Sequence, residues 1–157
     1  MRNGNWLSPV QIVDSKVLGL NLSVADSFGG GETHFSLTMN SSLGDPTVVD
    51  GSYVCKCVLE AVGNWTVDED GADPAFSASC KLGIAIAIPQ VALGSLSVDK
   101  RDEFVLANAV SIAYGKIRSI IENMTAESAV GRQTIPAIDP YALVSSLGLK
   151  KDTGTLN

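Results

Sequence analysis

Apolar and polar positions alternate with a period of two along much of the first ninety residues, which is the pattern of β-strands. In residues 34–40 one parity is apolar and the other polar, as expected for a half-buried strand. The apolar parity consists of Phe35, Leu37 and Met39. Residues 10–23 alternate with a change of phase, and a bulge or bend between positions 14 and 19 would reconcile the two phases.

Two longer segments predict the middle of a sheet. Residues 52–66 carry apolar side chains on both parities, so we expect a central strand. After a turn at residues 67–74, residues 75–89 place bulky apolar side chains on one face and, apart from Lys81, small side chains on the other. Residues 42–51 are predicted to form a loop because they are rich in Gly, Pro and Asp.

In the last third of the chain the apolar positions follow the period of an α-helix. Residues 97–128 predict one long helix with Ser97 or Asp99 as its cap and an apolar stripe that faces the sheet. A second stripe runs beside the first, and its residues are Val105, Ala109 and Ile112, with Gly115 permitting close approach. Either the helix is wide-faced and wedged between sheet and carboxy-terminal segment, or the second stripe docks on the same helix of another subunit. We favour the second interpretation.

A connection at residues 131–139 leads to a short second helix. The connection contains Pro136 and has too few donors for a strand ladder, which is typical of a segment that crosses the surface. Asp139 is a suitable N-cap, Pro140 fits the first helical position, and Gly148 ends the helix. Because so short a helix is unstable alone, it must pack against the body. This arrangement leaves a groove between helix and body.

Composition and charge exclude several classes of protein. The net charge is -6 and no basic stripe is present, which argues against nucleic acid as a partner. No uninterrupted apolar run approaches the ~20 residues that cross a bilayer, so we expect a soluble protein without membrane insertion. The amino terminus lacks the features of a signal peptide, and we expect a cytoplasmic location. Residues 1–157 are predicted to form a single domain with a core at about 8–148 and a disordered tail at about 149–157.

Candidate catalytic chemistry is sparse. His34 has no partner at metal-ligand spacing, and Cys55 and Cys57 are expected to be reduced core residues. The glycines at residues 29–31 lack the lysine and the following helix of a phosphate loop. We therefore predict a protein that is not an enzyme and that has no catalytic residue, cofactor or metal.

The order of the predicted elements resembles the SecB family of export chaperones. The most specific stretch is residues 135–146, which are similar to that family's proline loop running into an aromatic-X-Ala-Leu helix. Residues 10–23 resemble the family's first strand, and residues 52–61 and 76–88 resemble its third and fourth strands. The resemblance covers roughly residues 8–147. The fold class it implies is α+β, with an antiparallel sheet of about four strands packed by one long helix and one short carboxy-terminal helix.

The resemblance implies a cytoplasmic homotetramer, a dimer of dimers, that holds unfolded polypeptides in apolar grooves without ATP and serves protein export. The expected groove is floored by the half-buried strand and walled by the two helices. Its residues are Phe35, Leu37, Met39, Ile117, Ile121, Met124, Tyr141 and Leu143. Methionine and aromatic side chains suit promiscuous binding because they repack or offer area at little entropic cost. The alternative is that the same side chains close the core of the monomer.

The sequence departs from the family at the positions that contact the translocation motor. Export members use acidic residues on the exposed face of the sheet, and those positions correspond here to Gly19, Ser23 and Lys81. These substitutions argue against a contact with the motor. An adaptor, or a chaperone specific for one antitoxin, would bind one defined partner without the motor and is the alternative. A third hypothesis is a small-molecule or catalytic cavity between packed layers.

Overall fold

The computed structural model describes residues 8–26, 28–67 and 73–148, with side chains up to Ser146. The elements in chain order are β1 (Gln11–Val24), β2 (His34–Leu43), β3 (Thr47–Val49), β4 (Ser52–Thr66), β5 (Phe76–Pro89), a 3-10 turn (Gln90–Leu93), α1 (Val98–Ala126) and α2 (Pro140–Gly148). The tail predicted to be disordered, residues 149–157, lies outside the described residues.

The strands form one antiparallel sheet in the order β1-β5-β4-β2, and β3 pairs with β4 beyond the end of β2. Helix α1 packs across β4 and β5 on one face of the sheet, here called the helix side, and α2 packs against α1. The fold class predicted from the sequence is confirmed: the protein is α+β, with an antiparallel sheet, one long helix and one short carboxy-terminal helix.

The short strand β3 was not predicted, because residues 42–51 have the composition of a loop. Val49 pairs with Ser52 across a two-residue turn. Both turn residues have positive φ, 48° at Asp50 and 79° at Gly51. An Asp-Gly pair tolerates this backbone and matches the twist of paired strands, so it closes a tight hairpin.

The change of phase in β1 corresponds to two irregularities of register. The pairing of β1 with β5 shifts between Ile12 and Asp14 and again between Val17 and Gly19. The prediction of a bulge or bend in this segment is confirmed. At the second shift the side chain of Leu18 lies over β5, since a Cβ added to Gly83 would be 3.4 Å from its Cδ1 atom.

The core lies between the helix side of the sheet and α1. Strand β4 alternates buried residues with half-buried ones, apart from the exposed Lys56. It occupies the predicted central position between β5 and β2. The largest side chains with almost no exposed surface are Leu59, Leu82, Ile86, Ile88, Val105, Val110, Ile117, Ile121 and Ile135.

Helix α1 passes, by length and composition, the test for a segment able to cross a bilayer. The mean hydropathy of its most apolar window is 1.3. In this fold 44% of that window is buried against the rest of the chain, and the core helix of a soluble protein meets the same criteria. One such helix is weak evidence for a membrane span.

Candidate functional site

The side chains of Phe35, Leu37 and Met39, here called the β2 row, lie on the helix side of the sheet. They stand opposite Trp65, Gly63 and Ala61 of β4, which belong to the buried parity of that strand. Because α1 packs across β4 and β5, the row lies toward the margin of the helix's cover. Phe35 is 38% exposed, and Leu37 and Met39 are half-buried. The sequence predicted a half-buried strand with these three residues on its apolar face.

A ladder of aromatic rings holds Phe35 in place. The ring centroids of Phe35 and Trp65 are 4.9 Å apart, those of Trp65 and Phe76 are 4.6 Å apart, and those of Phe76 and Phe28 are 5.5 Å apart. Gly63 makes room for the first pair, because an added Cβ would lie 2.8 Å from the Trp65 ring and 3.1 Å from the Phe35 ring. The exposed edge of the row is therefore backed by rigid packing.

One end of the connection between the helices is fixed by a buried hydroxyl. Thr125 has no exposed surface. Its Oγ1 atom accepts a hydrogen bond from the backbone N–H of Gln133 at 2.8 Å and donates to the carbonyl of Ile121 at 2.8 Å. The hydroxyl thus provides a hydrogen-bond partner for one backbone group of α1 and one of the connection, as buried and partly buried polar groups require.

Two further side chains of α1 hold the middle of the connection. Nε of Arg118 donates to the carbonyl of Ile135 at 3.0 Å, and the hydroxyl of Tyr114 donates to the carbonyl of Pro136. Ile135 itself is fully buried in the core. The pKa of Tyr114 is raised, because the effect of burial is larger than the opposite effect of the nearby Arg118 charge. The connection is therefore bound to α1 between Gln133 and Pro136.

The predicted N-cap of α2 is confirmed. Oδ1 of Asp139 accepts hydrogen bonds from the backbone N–H groups of Tyr141 at 3.0 Å and Ala142 at 3.2 Å. Val144 is buried, Leu143 is half-buried against the core, and Tyr141 is 44% exposed. The packed face of α2 fixes the helix, and its tyrosine remains accessible.

Two of the expected groove residues, Ile117 and Ile121, have no exposed surface. They lie in the core because α1 rests directly on β4 and β5, so neither isoleucine is available to a bound chain in this conformation. Six expected groove residues keep exposed surface. These are Phe35, Leu37, Met39, Met124, Tyr141 and Leu143.

The residues of α1 that were expected at a subunit interface differ in their burial. Val105 and Ala109 are fully buried within the chain, as the wide-faced interpretation of α1 requires. Ile112 is half-buried, and Gly115 is exposed with open space around the position of a Cβ. The side of α1 near Ile112 lies beside β1, since Nζ of Lys116 contacts Oγ of Ser15 at 3.2 Å.

Strand β1 carries exposed apolar side chains that sequence reasoning did not assign to an interface. They are between 47% and 64% exposed and comprise Ile12, Val13, Val17, Leu18 and Leu20. The two bulges turn apolar residues of both parities toward accessible surface, and the broken alternation of this strand was the signal in the sequence. Ile12, Val17 and Leu20 stand opposite buried residues of β5 and therefore lie on the helix side. Leu18 lies over Gly83, on the outer face.

The opposite, outer face of the sheet carries the three positions that correspond to the motor contact. Gly19, Ser23 and Lys81 are all exposed, and Gly19 pairs with Lys81. Lys81 also stands opposite Glu60, whose carboxylate accepts a hydrogen bond from Asn40 at 3.1 Å. None of the three positions carries an acidic side chain.

The thiols of the core are chemically quiet. Burial, with a smaller effect of Asp45 and Asp102, raises the pKa of Cys55 to about 11, and burial raises the pKa of Cys57 to about 12. Burial also raises the pKa of Cys80. All three thiols are free and buried, as expected for Cys55 and Cys57, and they are protonated at neutral pH.

Across the described ranges, no group of three or more His, Cys, Asp or Glu side chains is placed to hold a metal ion. A cavity of about 460 Å3 opens beside the glycine loop at residues 29–31, between Phe28, Phe76, Val130 and Gln133. Its lining carries no titratable side chain. This cavity lacks the convergent polar groups expected of a catalytic site.

No family model and no curated protein matches the sequence. The sheet order, the long α1, the proline-bearing connection and the short α2 define a SecB-like fold, and solved structures share it. One of these is the SecB-like chaperone Rv1957 of Mycobacterium tuberculosis, in complex with a ChAD peptide from the antitoxin HigA1 (Rv1956). The TM-score is 0.54 at 14% identity, and the match covers 82% of this chain and 90% of that one. The SecB resemblance predicted from the sequence is thus confirmed at the level of the fold.

Proposed function

We propose that this protein is an ATP-independent chaperone, a holdase, that binds unfolded or partly folded polypeptide. The binding surface comprises the β2 row, Met124 at the end of α1, and Tyr141 and Leu143 of α2. The observation that carries the proposal is the β2 row, which keeps exposed surface beside the core although its side chains are large and apolar.

The chemistry of this surface fits loosely selective binding. Thioether and aromatic side chains adapt to varied apolar partners. Burial of apolar client surface contributes about 25 cal/mol per Å2 before ordering costs are subtracted. Useful affinity therefore requires long apolar stretches, which unfolded chains expose and folded proteins bury.

The partner of a protein with the same fold supports a polypeptide ligand. Rv1957 was solved with a peptide from an antitoxin. Because Gly19, Ser23 and Lys81 replace acidic residues of export members, we do not propose a contact with the translocation motor. The alternative function is an adaptor or antitoxin-specific chaperone that binds one defined partner.

We further propose a cytoplasmic homo-oligomer, with a dimer of dimers as the expected assembly. The surface that we assign to self-association is the apolar residues of β1 on the helix side together with Ile112 and Gly115 of α1. Static light scattering would count the subunits. Leu20→Lys should lower the count, because Leu20 is 53% exposed on β1, whereas Ser23→Lys on the same strand adds the same charge without removing apolar area.

The test of chaperone activity is the light scattering of reduced insulin, whose B chain precipitates. We expect this protein to delay precipitation without ATP and Phe35→Ser to weaken the effect. Val91→Ser is the control, because Val91 is 90% exposed in the 3-10 turn away from β2. Absence of any delay would refute the holdase proposal. Saturable binding to one folded partner, with indifference to unfolded chains, would favour the adaptor.

A further inference from the structure

The two edges of the sheet differ in how open they are to another strand. Strand β1 is interrupted by two register shifts and carries the ion pair of Lys16 and Asp14 at 3.6 Å. Bulges and charges of this kind discourage edge pairing. Strand β2 pairs with β4 without a shift from His34 to Leu43, and it contains no proline, acid, lysine or arginine. Among the residues that the structure describes, β4 is the only strand paired with β2.

The hydrogen-bonding pattern identifies which peptide groups of β2 face outward. The N–H of Gly44 donates to the carbonyl of Lys56 at 2.9 Å, and these residues stand opposite each other in continuation of the β2–β4 register. Hydrogen-bonded and non-hydrogen-bonded pairs alternate along antiparallel strands. Even-numbered residues of β2 therefore bond to β4, and the N–H and C=O groups of odd-numbered residues point to the outer edge.

The odd-numbered residues include the whole β2 row. Phe35, Leu37 and Met39 thus present apolar side chains to the helix side and unpaired peptide groups to the edge. Among the described residues no hydrogen bond reaches those outward N–H groups. An extended chain laid along the edge would meet both features at once.

We propose that an unfolded polypeptide binds by adding a strand to the outer edge of β2, antiparallel to it. This inference rests on the proposed function and assigns its binding mode. Backbone hydrogen bonds supply affinity that is independent of sequence. Every second side chain of the added strand lies beside the β2 row on the helix side, where apolar residues gain cross-strand contacts.

An extended chain from another protein fits this edge better than the other occupants do. A second copy of the protein has a larger apolar surface on β1, whose exposed residues are 47% to 64% accessible. Residues 149–157 contain only two apolar side chains, Leu149 and Leu156, and do not supply an alternating row. The net charge of -6 favours a segment with basic flanks.

The test uses a peptide of about eight alternating valine and threonine residues, long enough to follow the edge, with a lysine at each end. Three forms are compared by calorimetry: unmodified, N-methylated at the valines, and N-methylated at the threonines. In an antiparallel pair the residues that exchange hydrogen bonds with β2 have side chains on the same face as the β2 row. We therefore expect the valine-methylated form to bind at least about tenfold more weakly, at roughly fivefold per lost hydrogen bond.

The threonine-methylated form should bind like the unmodified peptide. If instead only the threonine-methylated form bound more weakly, strand addition in the parallel orientation would be supported. Equal binding of all three forms would overturn strand addition while leaving polypeptide binding intact. If the unmodified peptide fails to bind although the protein delays the precipitation of reduced insulin, strand addition is refuted and the proposed function stands. If the peptide fails to bind and no delay is seen, the proposed function fails as well.

Amide hydrogen exchange followed by NMR gives an independent readout on the protein. The outward amides of Leu37 and Met39 should exchange quickly in the free protein and slow down when the unmodified peptide is added. The amides of Ser36 and Thr38 should be slow in both states, since they bond to β4. Protection of Leu37 and Met39 that grows with protein concentration alone would mean that a second copy occupies the edge, and the proposal would fail.

A pair of variants at Ser41 separates the peptide group from the side chain. Ser41→Pro removes one outward N–H without breaking a bond to β4, and proline is tolerated at such edge positions. Ser41→Ala removes the same hydroxyl and keeps the N–H. We expect Ser41→Pro alone to weaken peptide binding, by about fivefold. Equal affinities of two folded variants would argue against a bond at this position.

Discussion

The hydroxyl of Thr125 provides a sharp test of how the connection at residues 131–139 is held. Thr125→Val preserves the shape of the side chain but leaves the N–H of Gln133 without its acceptor at 2.8 Å. A buried donor without a partner costs about 1 to 3 kcal/mol. Because Gln133 is half-buried, we expect a loss near the middle of that range, about 2 kcal/mol.

Thr125→Ser is the matched control, since it keeps the hydroxyl and removes only a methyl group. The loss of one buried methyl costs about 1 kcal/mol. For a chain of this size 1 kcal/mol corresponds to roughly 2 to 4 °C in Tm. Thr125→Val should therefore lower Tm by about 4 to 8 °C, and Thr125→Ser by about half as much.

Urea and thermal unfolding of the two variants measure the difference directly. Limited proteolysis adds a local readout, because a released connection should be cut between residues 131 and 139 before the rest of the chain. A Thr125→Val protein as stable as Thr125→Ser would show that the hydroxyl does not hold the connection, and the account of how α2 is positioned would have to be abandoned.

Further predictions concern the core and its ionisable groups. Gly63→Ala should destabilise the fold by about 1 to 3 kcal/mol through overpacking, because its Cβ would lie 2.8 Å from the Trp65 ring; Gly19→Ala, whose Cβ meets only a 3.8 Å contact, is the control in urea unfolding. Folded-state pKa values of about 11 for Cys55 and about 12 for Cys57 lie above the ordinary value of 9.0. The stability that the two protonated thiols contribute is thus fully present below about pH 9 and is lost as the pH rises toward 11 to 12. Tm measured against pH should therefore fall between about pH 9 and 12, and it should fall less steeply in Cys57→Ala. A thiol reagent at neutral pH should label the native protein only as fast as it unfolds, and rapid labelling of folded protein would contradict the burial of the thiols.

Long regular patterns in the sequence were sufficient to predict the central strands. The alternation over residues 52–66 predicted β4 with its observed bounds, and the start of α2 followed from the Asp139 cap. Such features are local, so neighbouring residues determine them. Strand β3 was missed although Asp50 and Gly51 are a hairpin signal, because the surrounding composition is that of a loop.

The burial of α1 could not be read from its periodicity. A helical pattern shows which faces are apolar, but it does not show which neighbouring layers cover them. Four residues of α1 have no exposed surface: Val105, Ala109, Ile117 and Ile121. The connection at residues 131–139 covers the adjacent side through Thr125, which widens the buried face beyond one stripe.

The openness of β2 is likewise a property of the whole sheet. Nothing in residues 34–43 indicates that they form an edge, because strand order depends on pairing across the chain. The order β1-β5-β4-β2 leaves β2 with one neighbour among the described strands. The half-buried row could be predicted from alternation, whereas the outward peptide groups required the register.

The hydrogen bonds that join Tyr114, Arg118 and Thr125 to the connection tie the length of α1 to the length of the connection. One residue inserted into the helix between Tyr114 and Thr125 would rotate one anchor by about 100° relative to the other, so the returning segment could not meet both. Insertions in this part of α1 should therefore be poorly tolerated, while the hairpin at Asp50 and Gly51 bears no such constraint. Proteins that share this architecture should vary in loop length at the hairpin and conserve the spacing of the helix.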